Sequence, residues 1–515
     1  MSRLKIVLSI GVVLAIGGAG VVWYVMQYAG FDIYVPLYAD NCGGCHGTDM
    51  QGTPLGVALV DVPLSRGDSV AAIADSIRHA HASVGAPLFS STLSDEQIKG
   101  LAIFVGERRM GQRFAEFQYD REVTLPDGLR TSDSHSFYVE SVVEGLSPLT
   151  FSIEPMPDGS LLLTEKERGL SIIDPQGQQS PLIQGTPATG GSVDILGIQY
   201  GNGWLLDVAL HPEYAANGWV YLHYTDLCGE RCDGLLEASM NRLDRGRIVD
   251  GRWVDVETIW QAPLAFYSST PDTGAGGRIA FDDSGHVFLS VGIKSADEGG
   301  EADISPQDLA SPYGKIHRVN DDGSIPADNP FALATDVRRS VWTFGHRSPQ
   351  GLEWHPERQR VWDSEMGPRG GDELNELLPG HNYGWPFHSQ GLEYSGASVA
   401  RYQLAHEEFD LQQVEQTLVD FTPSPAISSF AFYLGDQFPR WQGDVLIGSL
   451  KGNKLFRLVF DGDKLLHKET LLQDLARIRD VEVGYDGLVY LLLENEAGSR
   501  IVRLVPGGDD EVAVR

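Results

Sequence analysis

Tyr485-Asp-Gly487 followed by Val489-Tyr-Leu-Leu492, a glycine turn running into a stretch of strand-forming residues, is the pattern that decides the fold. It has counterparts upstream: Met156-Pro-Asp-Gly159 with Leu161-Leu-Leu-Thr164, Asp283-Ser-Gly285 with Val287-Phe-Leu-Ser290, and Trp441-Gln-Gly443 with Val445-Leu-Ile447. Trp219-Val-Tyr-Leu-His223 and a turn at His355-Pro356 complete six marks, spaced unevenly at roughly 65 residues. Strands and turns repeated at so long a period imply sheets that bury their faces against the next copy, and six marks predict a six-bladed β-propeller. A large β-sandwich is the competing architecture. No alternation of strand and helix is visible.

Composition bounds the rest. The chain has 515 residues, enough for two or three domains, with 42% hydrophobic and 21% charged residues, so it buries a core and is not disordered throughout. A formal charge of −32 excludes a nucleic-acid binder, which needs a concentrated basic footprint. Arg3 and Lys5 precede an uncharged run from Ile6 to Met26, which at ~1.5 Å per residue spans roughly 31 Å. With Trp23 and Tyr24 near its far end, the run reads as a transmembrane signal anchor within residues 1–30. The positive N-terminal side puts the remainder of a bacterial chain in the periplasm; a cleaved signal peptide is the alternative.

Next comes Cys42-Gly-Gly-Cys45-His46. Two thiols and an adjacent imidazole in C-x-x-C-H suit covalent haem c: the thiols add to the porphyrin vinyls and His46 is the proximal iron ligand. A redox pair or half a zinc site would use the same cysteines, but no second Cys/His pair is near and the flanks look helical. Tyr34, Leu37, Tyr38 and Asn41 share one helical face; Val70, Ile73, Ala74 and Ile77 share another. Ser94-Asp-Glu-Gln97 is a capping box opening a helix with Ile98, Leu101, Ala102 and Val105 on one side. Residues 31–115 thus resemble a class I cytochrome c domain, a small all-α unit. That family places a methionine before a proline as the sixth ligand. Here Ala86 precedes Pro87, leaving His81 or His79 as the expected ligand, with an open site or Met50 or Met110 as alternatives.

A linker at 116–133 leads to the propeller at 134–507, and an acidic tail occupies 508–515. Propeller loops gather at one mouth and carry its chemistry. Gly345-His-Arg347, Gly448-Ser-Leu-Lys451 and Arg477-Ile-Arg479 place four cations on loops of separate repeats, where they could converge on an anion; singly they would be surface charges. Gly367-Pro368, followed by Asp372 and Glu373, offers the hard oxygen donors that Ca²⁺ prefers.

These segments, with Asn382-Tyr383-Gly384-Trp385-Pro386, Gly203-Trp-Leu-Leu-Asp207 and Asp322-Gly-Ser-Ile-Pro-Ala-Asp-Asn-Pro330, resemble the soluble glucose and aldose sugar dehydrogenases that depend on pyrroloquinoline quinone (PQQ). The resemblance implies PQQ held over Ca²⁺. Gly367 and Pro368 would give carbonyls to that ion, and Arg347, Lys451, Arg477, Arg479 and Ser424 would hold the quinone. Glu373 and Tyr383 would help bind a second Ca²⁺. The catalytic positions depart from the family. Its general base falls at Gly274, the Asp that assists the base at Ile293, and a substrate-side Gln at Asn202. Asp272 is a weak substitute. Cys228 and Cys232 are expected to form a local disulfide.

The sequence therefore predicts an anchored periplasmic quinohaemoprotein. It would oxidise a sugar or alcohol hydroxyl with PQQ and pass electrons through its haem to a respiratory-chain acceptor. The rival is a catalytically degenerate propeller that binds a carbohydrate or a protein, with the haem as relay or sensor; a Ca²⁺-dependent lactonase would leave the haem unexplained.

Overall fold

The computed structural model describes residues 32–79, 89–111, 119–195, 198–232, 237–294, 304–394, 396–399 and 409–508. The chain divides into two compact units. One comprises the chain through Glu116 together with Pro368–Gly370 and Gly391–Ser398; the other holds the rest.

The smaller unit is helical. Helices α1 (Tyr34–Tyr38), α2 (Val70–His79) and α3 (Asp95–Arg109) stand where the apolar periodicity predicts, and a π-turn over Ala39–Gly43 leads from α1 into Gly44–His46. Ser94 caps α3 by accepting from the Gln97 amide, and the Gln97 side chain returns the bond to the Ser94 amide. Gly100 lets α1 lie close on α3, since a Cβ there would fall 1.9 Å from the Tyr34 ring. Ile73, Ala74, Ile77, Ile98, Leu101 and Val105 build the core, and Leu392 packs into it from Gly391–Ser398. Arg369 is nearly fully buried in this unit. Its guanidinium donates to both oxygens of Asp32 (2.7 and 2.9 Å) and both of Glu107 (2.7 and 3.3 Å).

The larger unit is the six-bladed propeller. Its innermost strands are Thr150–Pro155, Leu205–Leu210, Gly274–Phe281, Pro349–His355, Ile427–Phe432 and Arg477–Val483, and each packs on the next until the last meets the first. Four of the sheets run outward in chain order as antiparallel four-stranded blades, while the first blade has three strands. The last blade is completed from the other end of the chain: Ser136–Leu146 pairs antiparallel with Ser499–Pro506. Side chains stitch neighbouring blades at the centre. Thr164 Oγ1 donates to the Leu206 carbonyl, Ser364 Oγ to Ser428, and Ser428 Oγ to Ile478, each at 2.6 Å. Arg278 ties three blades at once through Asp207 (3.3 Å) and Asp480 (2.8 Å).

Among the described residues no helix is long and apolar enough to cross a membrane. The expected anchor, Ile6–Met26, lies outside the described residues, as do His81 and the tail beyond Gly508.

Candidate functional site

In the helical unit Cys42 is half-buried and Cys45 exposed, and neither is in a disulfide. Burial pushes the Cys42 thiol up to about 11. His46 Nδ1 lies 2.7 Å from the Val57 carbonyl, a contact that keeps the proton on Nδ1 and presents the Nε2 lone pair, as an iron ligand requires. The donor set therefore fits haem c. His79, at the end of α2, is exposed and sets Nδ1 2.9 Å from Asp75, whereas Met50 is buried in the core.

In the propeller, Arg347, Lys451, Arg477 and Arg479 are all 9% exposed or less, so they are not solvated surface charges. Arg347 precedes the inner strand Pro349–His355, Arg477 and Arg479 lie at the start of the inner strand Arg477–Val483, and Lys451 follows the second strand Val445–Ser449. Arg347 donates through Nη1 to the carbonyls of Met366 (3.1 Å) and Gly367 (3.0 Å), and its amide donates to Glu365. Its buried Nε has no hydrogen-bond partner among the described residues. With Trp385 it lines a cavity that Glu365, Gly367, Glu373, Tyr383 and His388 also line.

Asp372 draws the next group together. Its carboxylate accepts from Ser424 Oγ (2.5 Å), the Gly367 amide (3.0 Å) and the Ile427 amide (2.9 Å). Burial raises its pKa to about 6 against the pull of those bonds and of the Lys451 charge. Arg477 and Arg479 converge on Glu494, Arg479 with contacts of 2.9 and 3.0 Å and Arg477 at 3.3 Å. Arg479 also donates to Gln350 (3.2 Å), whose Nε2 donates to Ser348 beside Arg347. Sequence reasoning missed Lys166, the third cation on Glu494 (3.4 Å). Cations grouped on so few carboxylates, with an unsatisfied Arg347 donor, fit a polyanionic ligand such as PQQ.

Buried acids gather beside the cavity. His346 Nδ1 lies 3.1 Å from Glu365 and 3.3 Å from Asp363, and neither Asp363 oxygen has a hydrogen-bond partner among the described residues. Burial and the neighbouring Glu365, Asp420 and Asp363 charges hold Glu373 well above the usual carboxylate range. Tyr383 stacks on His346, and its hydroxyl donates to the Glu376 carbonyl, so only its backbone oxygen remains for a cation. Such an excess of buried carboxylate suits a divalent ion.

The strands around Gly274 pack closely. A Cβ on Gly274 would lie 2.3 Å from the Lys294 carbonyl, and one on Gly292 would lie 1.9 Å from the Gly274 carbonyl, so the two strands touch where the family base would project. Ile293 donates its amide to the Arg347 carbonyl. Asp272 is buried and accepts from the Gly203 amide (2.8 Å), Ser239 Oγ (2.9 and 3.0 Å) and Lys294 Nζ (3.0 Å), so its carboxylate is already engaged inside the propeller. Asn202 Nδ2 bonds Ser239 Oγ and the Thr270 carbonyl. Trp204, Phe151, Leu206 and Ala275 form an apolar floor next to Gly274. Cys228 and Cys232 are joined in a disulfide.

The "Glucose / Sorbosone dehydrogenase" family matches residues 147–503, and the "Cytochrome C oxidase, cbb3-type, subunit III" family matches residues 34–105. The aldose sugar dehydrogenase YliI of Escherichia coli is 35% identical over 303 residues, 58% of this chain and 76% of that protein. Quinoprotein glucose dehydrogenase B of Acinetobacter calcoaceticus is 25% identical over 408 residues, 67% of this chain and 82% of its own length. The apo-form crystal structure of the E. coli aldose sugar dehydrogenase superposes with a TM-score of 0.60 at 30% identity, over 72% of this chain and 99% of that one. The PQQ-bound aldose sugar dehydrogenase of Streptomyces coelicolor gives 0.52 at 25% identity, over 72% and 98%. The chain belongs to the glucose/sorbosone dehydrogenase family, with a cbb3-type cytochrome c domain joined to its propeller.

Proposed function

We propose that the protein is a quinohaemoprotein dehydrogenase that binds PQQ and Ca²⁺ in its propeller, oxidises an aldose or alcohol hydroxyl, and delivers the electrons to its own haem c. The observation that carries this reading is the set of buried cations, Arg347, Lys451, Arg477 and Arg479, in a chain of charge −32. Arg347 keeps a buried Nε with no hydrogen-bond partner among the described residues, and a quinone with several carboxylates would give this set of cations a common ligand. When bound, PQQ provides a two-electron acceptor. A one-electron haem on the same chain is the matching outlet. Gly367 and Pro368 carbonyls would hold the Ca²⁺ at the quinone, and Glu373 with the Tyr383 carbonyl a second one.

The basic residues before Ile6–Met26 support an inner-membrane anchor with the bulk of the chain in the periplasm, and a respiratory-chain protein would take the electrons from the haem. Closure of the strands at Gly274 favours a substrate unlike glucose, and it also supports a second reading in which the propeller only binds a carbohydrate.

The test is haem reduction. Full-length protein loaded with PQQ and Ca²⁺ should show the reduced haem band when an aldose or alcohol from a broad panel is added. If PQQ binds and no member of the panel reduces the haem, the dehydrogenase reading fails and the binding module replaces it.

A further inference from the structure

Lys166 follows the strand Leu161–Glu165 of the first blade, and its side chain is only 7% exposed. A lysine buried this far needs a reason. Its Nζ lies 3.4 Å from Glu494 Oε1, 5.2 Å from the centre of the Trp204 ring and 5.7 Å from that of Phe151. Arg479 sits on the same carboxylate and at 5.7 Å from the same Phe151 ring. Glu494 brings one negative charge to the two positive charges of Lys166 and Arg479, and Arg477 reaches it as well. The pair is thus short of an anion. Lys166 also flanks the apolar floor through the Phe151 and Trp204 rings.

We propose that Lys166 is a further cofactor-binding residue, its ammonium taking a carboxylate of the quinone together with Arg479 while Glu494 holds the two cations in place. This rests on the reading that the propeller binds PQQ. The charge state fits: burial, opposed by Glu494 and aided by the two arginines, lowers Lys166 to about 8 in the cofactor-free protein. The charged groups facing it are Glu494, held well below the usual carboxylate range by its three cations, and Arg477 and Arg479. Lys166 is therefore the group that titrates there near neutrality, and an anion binding to it must raise its pKa.

The experiment is an equilibrium titration of the full-length, haem-bearing, PQQ-free protein with PQQ in Ca²⁺ buffer, read by quenching of tryptophan fluorescence and by dialysis. Lys166→Met should weaken binding at least tenfold at pH 7, and Lys166→Arg less than threefold. Wild-type affinity should fall as pH rises above 8, approaching tenfold per unit, and the Lys166→Arg curve should stay flat. If wild type binds PQQ and Lys166→Met binds within twofold of it, the role of Lys166 is overturned while the cofactor reading stands. If wild type itself does not bind PQQ, the cofactor reading falls first. Should Lys166→Met not fold, a Lys166→Arg profile that still breaks near pH 8 overturns the inference on its own.

Discussion

At Gly274 the backbone leaves no room for a side chain, because the Lys294 carbonyl stands 2.3 Å from where its Cβ would be. Gly274→His should therefore not install a base. It should lower stability by about 1–3 kcal/mol, as overpacking does, and give no gain in glucose oxidation; thermal melts and haem-reduction assays check both. Lys166 carries a second expectation at this scale. Its pKa of about 8 in the folded, cofactor-free protein lies below the ordinary 10.5, so the folded state binds fewer protons between those values. The stability it contributes must then rise with pH across that window, and the difference between wild-type and Lys166→Met denaturation curves should show the rise. The sequence exposes such residues unevenly. Arg347, Arg477 and Arg479 are legible because loop cations are odd in so acidic a chain and match a family pattern. Lys166 was invisible: it sits in an ordinary Thr-Glu-Lys strand end, and its partner Glu494 is 328 residues away.

Among elements, the α1–α3 crossing is the tightest feature of the helical unit. Gly100→Ala would drive a methyl group into the Tyr34 ring and should cost about 1–3 kcal/mol, measurable by chemical denaturation followed at the haem. Ser94→Ala removes one half of the capping box and should cost about 1 kcal/mol in the same assay. The turns that announced the propeller share one place in it. Met156–Gly159, Asp283–Gly285, Trp441–Gly443 and Tyr485–Gly487 each join the first strand of a blade to the second. Those two strands are the most buried, so their apolar runs and glycine turns stand out in the sequence. Outer strands such as Arg252–Gln261 are mostly exposed, and their buried residues, Trp253, Ile259 and Trp260, fall at uneven spacing, so no strict alternation marks them. The blade count was therefore legible where the outer sheet edges were not.

For the whole molecule, ring closure depends on Ser136–Leu146, which joins Ser499–Pro506 from the far end of the propeller sequence. A chain starting after Leu146 would leave that edge open. It should melt at lower temperature and aggregate on heating, as light scattering during a thermal ramp would show. The Cys228–Cys232 bridge spans only four residues, so reducing it should move the melting temperature little. Arg369→Met would strand Asp32 and Glu107 without their cation and should destabilise the helical unit by about 3–5 kcal/mol. That arginine, with Leu392, comes from sequence positions far beyond the haem motif. The cytochrome is consequently no detachable cassette: a gene cut just past codon 116 would encode its haem-attachment signal and all three helices, yet omit the buried cation that Asp32 and Glu107 share.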